Sequence, residues 1–283
     1  MAGRKSVTNK VVVVTGAGSG IGRATARAFA KRGARLVLAD IDEGSLLSAA
    51  GELEALGCEV RTRVVDVTKA EMVEALCDST YEMMGRCDVL VNNAGVAMIG
   101  LVENTSLEDW QWVMGINFWG VVHGCHYFYP RMIAQGGGGH IVNVASGAGL
   151  APIPAQAVYC ASKYAVVGFS ETLRGEAALH GIGVSVICPA FVATNIARSV
   201  KVRMETRNYA TEPELIDRST DFLAKHGCSP DKVGETVFRA VEKNRGVVPV
   251  TASMKAMDLA HRLFRGGFRI VQIVALKVIQ RAL

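Results

Sequence analysis

The feature that most constrains the fold is an apolar run followed at once by a glycine-rich turn and a helical pattern. Residues 11–15 read VVVVT, residues 15–22 read TGAGSGIG, and RATARAFAKRG follows with helical spacing. Such a run is typical of a strand buried in a parallel sheet. Glycines let the backbone approach a pyrophosphate, and the free N–H groups of a helix N-terminus attract its charge. The pattern therefore predicts a dinucleotide site at the first turn.

Strands and helices alternate along the rest of the chain. The further predicted strands lie at 34–40, 58–67, 88–95, 183–190 and 246–250, with one more beginning at His140. The predicted helices lie at 43–56, 69–84 and 107–129, and around Tyr159. This alternation predicts an α/β fold with a single doubly wound parallel sheet, flanked by helices on both faces. Residues 1–252 are expected to form this domain, and residues 253–283 a basic, amphipathic helical extension.

An acidic residue ends the second predicted strand, about twenty residues beyond the glycines. The carboxylate of Asp40 can accept hydrogen bonds from both ribose hydroxyls of an adenosine. It would repel a 2′-phosphate, and neither Ser19 nor Ile41 supplies a compensating cation. The sequence therefore favours NAD over NADP.

Tyr159 and Lys163 stand four residues apart in the stretch YCASK, which places them on one face of a helix. A nearby cation favours a phenolate, so the pair can act as a general acid or base. The spacing alone is common on helix faces. Two further polar residues add to it: Asn117 lies inside a predicted helix, and Ser146 follows a predicted strand at the edge where α/β sheets bind ligands.

These ordered motifs resemble the short-chain dehydrogenase/reductase family over residues 8–252. TGAGSGIG is similar to the family's cofactor loop, residues 66–67 to its adenine-contacting pair, and NNAG at 92–95 to its central-strand motif. The resemblance implies a Rossmann-type sheet that binds NAD. The cofactor contacts that it implies are Gly16, Ser19, Gly20, Ile21, Gly22, Asp40, Asp66, Val67, Asn93, Ala94, Gly95, Tyr159, Lys163, Pro189, Val192 and Thr194.

The same resemblance implies a catalytic tetrad of Asn117, Ser146, Tyr159 and Lys163. Tyr159 would be the acid or base that acts on the substrate oxygen, and Ser146 would hydrogen-bond the same oxygen. Lys163 would hold the nicotinamide ribose and lower the phenol pKa, while Asn117 would hold the helix geometry and a water that links Lys163 to solvent. The hydride chemistry belongs to the cofactor, and the protein supplies orientation and donors.

One motif departs from the family pattern. PAFVAT, residues 189–194, is similar to P-G-x-V-x-T, but Ala190 stands where the family has glycine. If that position required a positive φ, alanine would cost roughly 1 to 2 kcal/mol and the local turn would differ.

Residues expected beside the substrate are apolar: Val96, Met98, Leu150, Ile153, Phe191 and Val192. They favour a hydrophobic secondary alcohol or ketone, although each could equally pack the core. A less regular segment, 195–229, carries Arg198, Lys201, Arg203 and Arg207. Those charges either face solvent or meet an acidic group of the substrate.

Charge and cysteine content limit the partners and the compartment. The net charge of +5 is contained within residues 255–283, so the preceding residues are neutral overall, which argues against nucleic-acid binding. Seven scattered cysteines without a CxxC pair favour a reducing, cytoplasmic location, and no metal site is predicted. The basic extension is expected to pack on its own or another subunit of a homodimer or homotetramer, with peripheral membrane contact as the alternative.

The sequence thus predicts an NAD-dependent oxidoreductase that interconverts a hydrophobic secondary alcohol, steroid- or lipid-like, and its ketone. A 3-oxoacyl or small-diketone reductase is the alternative within the same class, although Asp40 disfavours its usual NADPH. A cofactor-binding scaffold or sensor without catalysis is the alternative from another class.

Overall fold

The computed structural model describes residues 7–193, 200–203, 227–264 and the single positions 217, 220, 221, 225, 267 and 273. Its main sheet is parallel and has seven strands in the order β3-β2-β1-β4-β6-β7-β9. These strands are β1 Val11–Thr15, β2 Arg35–Asp40, β3 Val60–Val64, β4 Val89–Asn92, β6 Gly139–Val144, β7 Ile182–Cys188 and β9 Val247–Pro249. The predicted doubly wound parallel sheet is confirmed.

Helices cover both faces of this sheet, because successive strand residues point to opposite sides. Val11 and Val13 of β1 join one core with Phe128 and Val166, whereas Val12 and Val14 join the other with Phe29. The described helices are α1 Gly20–Ala30, α2 Glu43–Glu54, α3 Ala70–Met84, α4 Leu107–Met114, α5 Gly120–Gln135, α6 Ala157–Ala178, α7 Pro230–Glu242 and α8 Ala252–Leu263. Within the described residues, no helix combines the length and apolar character needed to cross a membrane.

The helix predicted over residues 107–129 is interrupted by a turn of π-helix. Residues Gly115–Trp119 form this turn between α4 and α5, and the Gly120 N–H bonds to the carbonyl of Gly115. Single π turns inside helices often mark functional sites. Asn117 lies in the middle of the turn and is fully buried.

A second, two-stranded parallel sheet departs from the single sheet that the sequence predicted. It pairs β5, Met98–Gly100, with β8, Lys201–Arg203. The two strands are only three residues long and carry no periodic signal, so the pattern could not reveal them. Their pairing places residues 201–203 beside β5, which follows β4 in the chain.

Asp109 supplies the charge that holds this small sheet. Its carboxylate accepts a hydrogen bond from Arg203 Nε at 3.0 Å and lies 3.9 Å from Lys201 Nζ, while that ammonium sits 4.0 Å from the centroid of the Trp112 ring. Lys201 and Arg203 therefore bind a carboxylate of the protein, and neither remains a fully solvated charge. Arg198 and Arg207 lie outside the described residues.

The helical extension begins as an integral part of the fold. Helix α8 starts at Ala252, and the side chain of Met254 is 2% exposed within the core that contains Val166. Beyond this first turn, Leu259, Leu263 and Phe264 are exposed. The amphipathic pattern expected for residues 265–283 lies outside the described residues, apart from single positions.

We expect Asp109→Asn to destabilise the fold by about 1–2 kcal/mol, since it removes one partner of a charge-assisted bond whose other partner, Arg203, is half exposed. Burial raises the pKa of Asp109, but hydrogen bonding and charge from Arg203 outweigh it, so the pKa lies below its usual 3.8. The stabilisation is thus present above pH 3.8 and is lost as pH falls through the folded-state pKa.

Urea unfolding of both proteins between pH 3 and pH 7 measures this effect. Asp78→Asn is the matched control, because Asp78 pairs with Arg131 on the exposed surface. An equal loss of unfolding free energy in the two variants would contradict a structural role for Asp109.

Candidate active site

The glycine-rich turn forms a close-packed cradle at the carboxyl end of β1. Gly16 and Gly20 have φ of 63° and 52°, a region that side chains disfavour. A Cβ on Gly22 would lie 2.0 Å from the carbonyl oxygen of Gly16. Helix α1 begins at Gly20 behind the exposed Ser19, which makes no side-chain cap, and its first turn carries no acidic residue.

The end of β4 holds this cradle in place. The amide of Asn93 donates to the carbonyl oxygens of Thr15 at 3.0 Å and Gly16 at 3.1 Å. In return, the hydroxyl of Thr15 accepts the backbone N–H groups of Asn93 and Ala94. The amide of Asn93 is therefore occupied by the glycine turn, so this side chain positions the cradle.

Asp40 lies at the carboxyl end of β2 and faces the same turn. Its carboxylate accepts the N–H of Gly18 at 2.8 Å and that of Asp42 at 3.1 Å. Both bonds fix its orientation. Asp66 accepts the N–H and hydroxyl of Thr68 at 2.9 and 2.8 Å, so it shapes the turn that follows β3.

These residues fit a dinucleotide. Three glycines, a helix N-terminus and an oriented carboxylate lie at the carboxyl ends of neighbouring parallel strands, where α/β folds bind such ligands. The partly buried Ile21 packs against the core of α1, and Val67 is buried. Two residues of the PAFVAT motif, Pro189 and Val192, are also buried. Thr194 lies outside the described residues.

The four residues of the predicted tetrad fall into an accessible pair and a buried pair. Tyr159 and Ser146 are partly exposed, whereas Lys163 is 4% exposed and Asn117 is fully buried. Lys163 Nζ donates to the carbonyl oxygen of Val144 at 3.2 Å and lies 5.8 Å from the centroid of the Tyr159 ring. The arrangement offers two hydroxyls to a ligand, with an amine behind them.

Asn117 joins three parts of the chain. Its side chain accepts the N–H of Val96 at 2.8 Å and donates to the Val96 carbonyl at 3.0 Å and the Ser162 hydroxyl at 3.1 Å. Ser162 in turn donates to the carbonyl of Tyr159 at 2.7 Å. The expected hydrogen-bonding task of Asn117 is thus the alignment of helix α6 with the end of β4.

Burial shifts the pKa values of both catalytic candidates. It raises the pKa of Tyr159, and hydrogen bonding with Ser146 only partly opposes it. It lowers the pKa of Lys163 to about 8. The expected lowering of the phenol pKa is therefore not observed, because burial raises this pKa more than hydrogen bonding with Ser146 lowers it. Tyr159 is protonated at neutral pH and is ready to donate.

Three of the six predicted substrate-side residues pack the core instead. Met98 is 1% exposed, Leu150 is 5% and Val192 is 6%. Val96 and Ile153 are partly exposed, and Phe191 is 55% exposed, so these three apolar side chains remain outside the core. The substitution at Ala190 does not distort the turn, since Ala190 is not among the residues with positive φ.

Two residues at the site, Ser162 and Cys160, are not among those predicted from the sequence. Cys160 accepts the N–H of Ile153 at 3.3 Å and so ties that loop to α6. Gly95 is a predicted cofactor contact, and a Cβ on it would also approach the Asn117 amide oxygen at 3.2 Å and Lys163 Nζ at 3.4 Å. The signal for these contacts is three-dimensional, because each joins elements that only the fold brings together.

A dinucleotide cradle beside a tyrosine, a serine and a buried lysine defines a class of oxidoreductase. The family model of the short chain dehydrogenases matches residues 10–205. The chain belongs to this family, and the resemblance inferred from its motifs is confirmed.

Individual relatives agree with this assignment. The chain is 39% identical over 251 residues to the Mycobacterium tuberculosis protein named "Probable oxidoreductase EphD", and the match covers 87% of this chain but only 42% of that relative's length. It is 37% identical to the protein named "Putative oxidoreductase SadH" of the same species, over 93% of this chain and 94% of the relative. A crystal structure of a Burkholderia phymatum short chain dehydrogenase/reductase in complex with NAD has a TM-score of 0.84 and 39% identity, and the match covers 92% of this chain and 95% of that one.

We expect Lys163→Met to stabilise the fold at neutral pH. The lysine pKa is about 8 in the folded protein against an ordinary 10.5. Between these values the unfolded chain binds more protons, so the parent's stability rises with pH. Below pH 8 the buried charge costs ~3 kcal/mol, and the methionine variant avoids that cost.

Urea unfolding without cofactor at pH 7 and pH 9.5 measures the free energy of unfolding of the parent and the variant. The difference between these two free energies should fall by about half at the higher pH, because the folded parent loses its buried charge. Lys255→Met, at an exposed position of α8, serves as the control. A gap for Lys163→Met that does not change with pH would contradict this assignment.

Proposed function

We propose that this chain is an NAD(H)-dependent oxidoreductase that interconverts a hydrophobic secondary alcohol, steroid- or lipid-like, and its ketone. The observation that carries the proposal is the accessible pair of hydroxyls on Tyr159 and Ser146, placed beside the glycine cradle with Lys163 buried behind them. Donors that converge on one oxygen stabilise the charge that develops there during reaction.

The glycine turn and Asp40 would hold a nicotinamide dinucleotide, which would supply or accept the hydride when bound. During reduction, the hydroxyl of Tyr159 donates its proton to the carbonyl oxygen while that oxygen gains the electron pair of the C=O bond. During oxidation, the same phenol oxygen takes the proton of the alcohol. The hydroxyl of Ser146 donates a hydrogen bond to this oxygen in both directions.

Lys163 and Asn117 serve the same proton transfer from behind the site. The pKa of Lys163, at about 8, permits its amine to exchange a proton near neutral pH. Asn117 fixes α6 through Ser162, so the phenol and the amine keep their relative positions.

The preference for NAD rests on Asp40. Two backbone N–H groups, from Gly18 and Asp42, orient its carboxylate at the edge of the cradle. A 2′-phosphate would meet this negative charge, whereas ribose hydroxyls would donate to it. The NAD complex of the Burkholderia phymatum relative supports the same choice.

The apolar character of the substrate rests on Val96, Ile153 and Phe191, the candidate residues that remain outside the core. Pairing of Lys201 and Arg203 with Asp109 adds support, because it removes two cations that would otherwise favour an acidic substrate. A 3-oxoacyl or small-diketone reductase and a non-catalytic NAD-binding scaffold are the outcomes that would replace this proposal.

A homodimer or homotetramer is part of the proposal. Exposed apolar residues on the segment that carries Asn117 support it: Leu107 is 76% exposed and Trp119 is 51% exposed. Light scattering of the purified chain gives the mass that decides between one, two and four subunits.

Peripheral contact with an anionic membrane, alongside a cytoplasmic location, is the second proposal for partners. Leu259, Leu263 and Phe264 are exposed at the end of α8, in the segment that holds the net charge of +5. Exposed apolar residues and basic charge together favour binding at a lipid interface.

Tyr159→Phe is expected to lower kcat by at least ~10², the usual contribution of a general acid or base. The assay monitors reduced nicotinamide by absorbance over a panel of steroid, fatty and small secondary alcohols, with NAD and NADP supplied separately. Tyr164→Phe, in the next turn of α6, is the control and should retain activity.

Full activity of Tyr159→Phe would contradict its catalytic role. Preference for small diketones with NADPH would favour the alternative reductase. Binding of NADH without turnover of any panel member by the parent would favour the scaffold.

Replacing Leu259, Leu263 and Phe264 together with serine should reduce co-sedimentation with phosphatidylserine vesicles several-fold, because apolar burial and charge act together at such surfaces. Vesicles of phosphatidylcholine alone provide the uncharged comparison. Equal partitioning of the parent and the triple variant into anionic vesicles would rule out lipid contact through α8.

A further inference from the structure

Helix α8 places one buried side chain directly against the loop of the catalytic serine candidate, residues 146–151. Within α8, Met254 is the one residue that is buried. A Cβ on Gly147, the neighbour of Ser146, would lie 2.2 Å from the sulfur of Met254 and 3.0 Å from its methyl carbon. The thioether therefore occupies the space that a side chain at position 147 would need.

Backbone hydrogen bonds of Gly147 hold the serine loop, residues 146–151, in place. Its N–H donates to the carbonyl of Pro189 at 2.6 Å, and its own carbonyl accepts the N–H groups of Leu150 at 2.9 Å and Ala151 at 3.0 Å. The hydroxyl of Ser146 accepts the N–H of Ala148 at 3.2 Å. A displacement of Gly147 would thus change the direction of the Ser146 hydroxyl.

The first turn of α8 is itself well anchored. Thr251 caps the helix by accepting the N–H of Met254 at 3.2 Å, and it shares a hydrogen bond with Ser253 at 2.9 Å. Met257, one turn later, packs partly buried against the same core. The position of Met254 is therefore set by the end of β9 and by this capped turn.

We propose that Met254 is a positioning residue for Ser146. Its side chain sets the position of Gly147 between α8 and Pro189, and so directs the serine hydroxyl towards the substrate oxygen. This role rests on the proposed function, in which Ser146 hydrogen-bonds that oxygen. Small errors in such an alignment lower the rate of the chemical step more than they affect binding.

Truncation of Met254 is the first test. Met254→Ala should lower kcat roughly ten- to a hundred-fold, because a displacement on the order of 1 Å has effects of that size. The Kd for NADH should stay within about twofold of the parent, because none of the nearest atoms around Gly16, Gly18 and Gly22 belongs to Met254. Met254→Leu, which keeps the volume, should restore most of kcat. Met257→Ala should leave kcat close to that of the parent.

A double-mutant cycle with Gly147→Ala is the decisive test. Gly147 has no positive φ, so the backbone accepts alanine and the obstacle is the sulfur of Met254. Gly147→Ala alone should therefore lower kcat. In the Met254→Ala background the new methyl group enters the vacated space, so the same substitution should have no further cost or should raise kcat.

The outcomes separate the two proposals. Thermal unfolding of each variant first confirms that it is folded. If the parent turns over a substrate, the proposed function stands. In that case, either additive losses in kcat or a loss in Met254→Ala that Met254→Leu fails to restore would overturn the role of Met254. Absence of parent turnover on the whole substrate panel would overturn the proposed function and the role of Met254 with it.

Discussion

The side chain of Asn117 is the link on which the geometry of the site depends. Through one amide it joins the backbone at Val96, its own π turn and the Ser162 hydroxyl of α6. Asn117 itself is fully buried, so a missing partner would leave its buried amide unsatisfied, at a cost of roughly 1 to 3 kcal/mol. The hydrogen bonds of Asn117 therefore favour one placement of helix α6 against the end of β4. Gly95 keeps the required space, since a side chain there would press on Asn117 and Lys163.

Most of the fold and the composition of the site follow from local pattern. The valines of β1 and the glycines after them specify their own structure, because burial on both faces and close backbone contact each demand those residue types. Tyr159 and Lys163 share a helix face by spacing alone. In contrast, β5 and β8 are three residues each and lie about a hundred residues apart, and their pairing depends on Asp109. No periodicity encodes such a contact.

The errors in the sequence-based expectations have a common physical origin. Apolar residues near a motif look alike whether they face a ligand or the core, and Met98, Leu150 and Val192 proved to be core. The sequence alone does not show whether a cation in a loop is free to bind an acidic substrate group. In the structure, Arg203 binds a carboxylate of the same chain. The direction of the pKa shift of Tyr159 could not be predicted from the sequence either, because burial by the surrounding packing causes it. Sequence order predicts candidate reacting groups, but the environment of each group is a property of the packed structure.

The contact between Met254 and Gly147 also links catalysis to the order of synthesis. A ribosome completes the glycine cradle, the tyrosine helix and most of the sheet long before residue 254 leaves it, and domains tend to fold from their N-terminal part onwards. A nascent chain can thus acquire its nucleotide cradle while the serine loop still lacks its final neighbour. With Met254 in its proposed role, the chain acquires the ability to bind the nucleotide before the ability to react, because the latter requires helix α8.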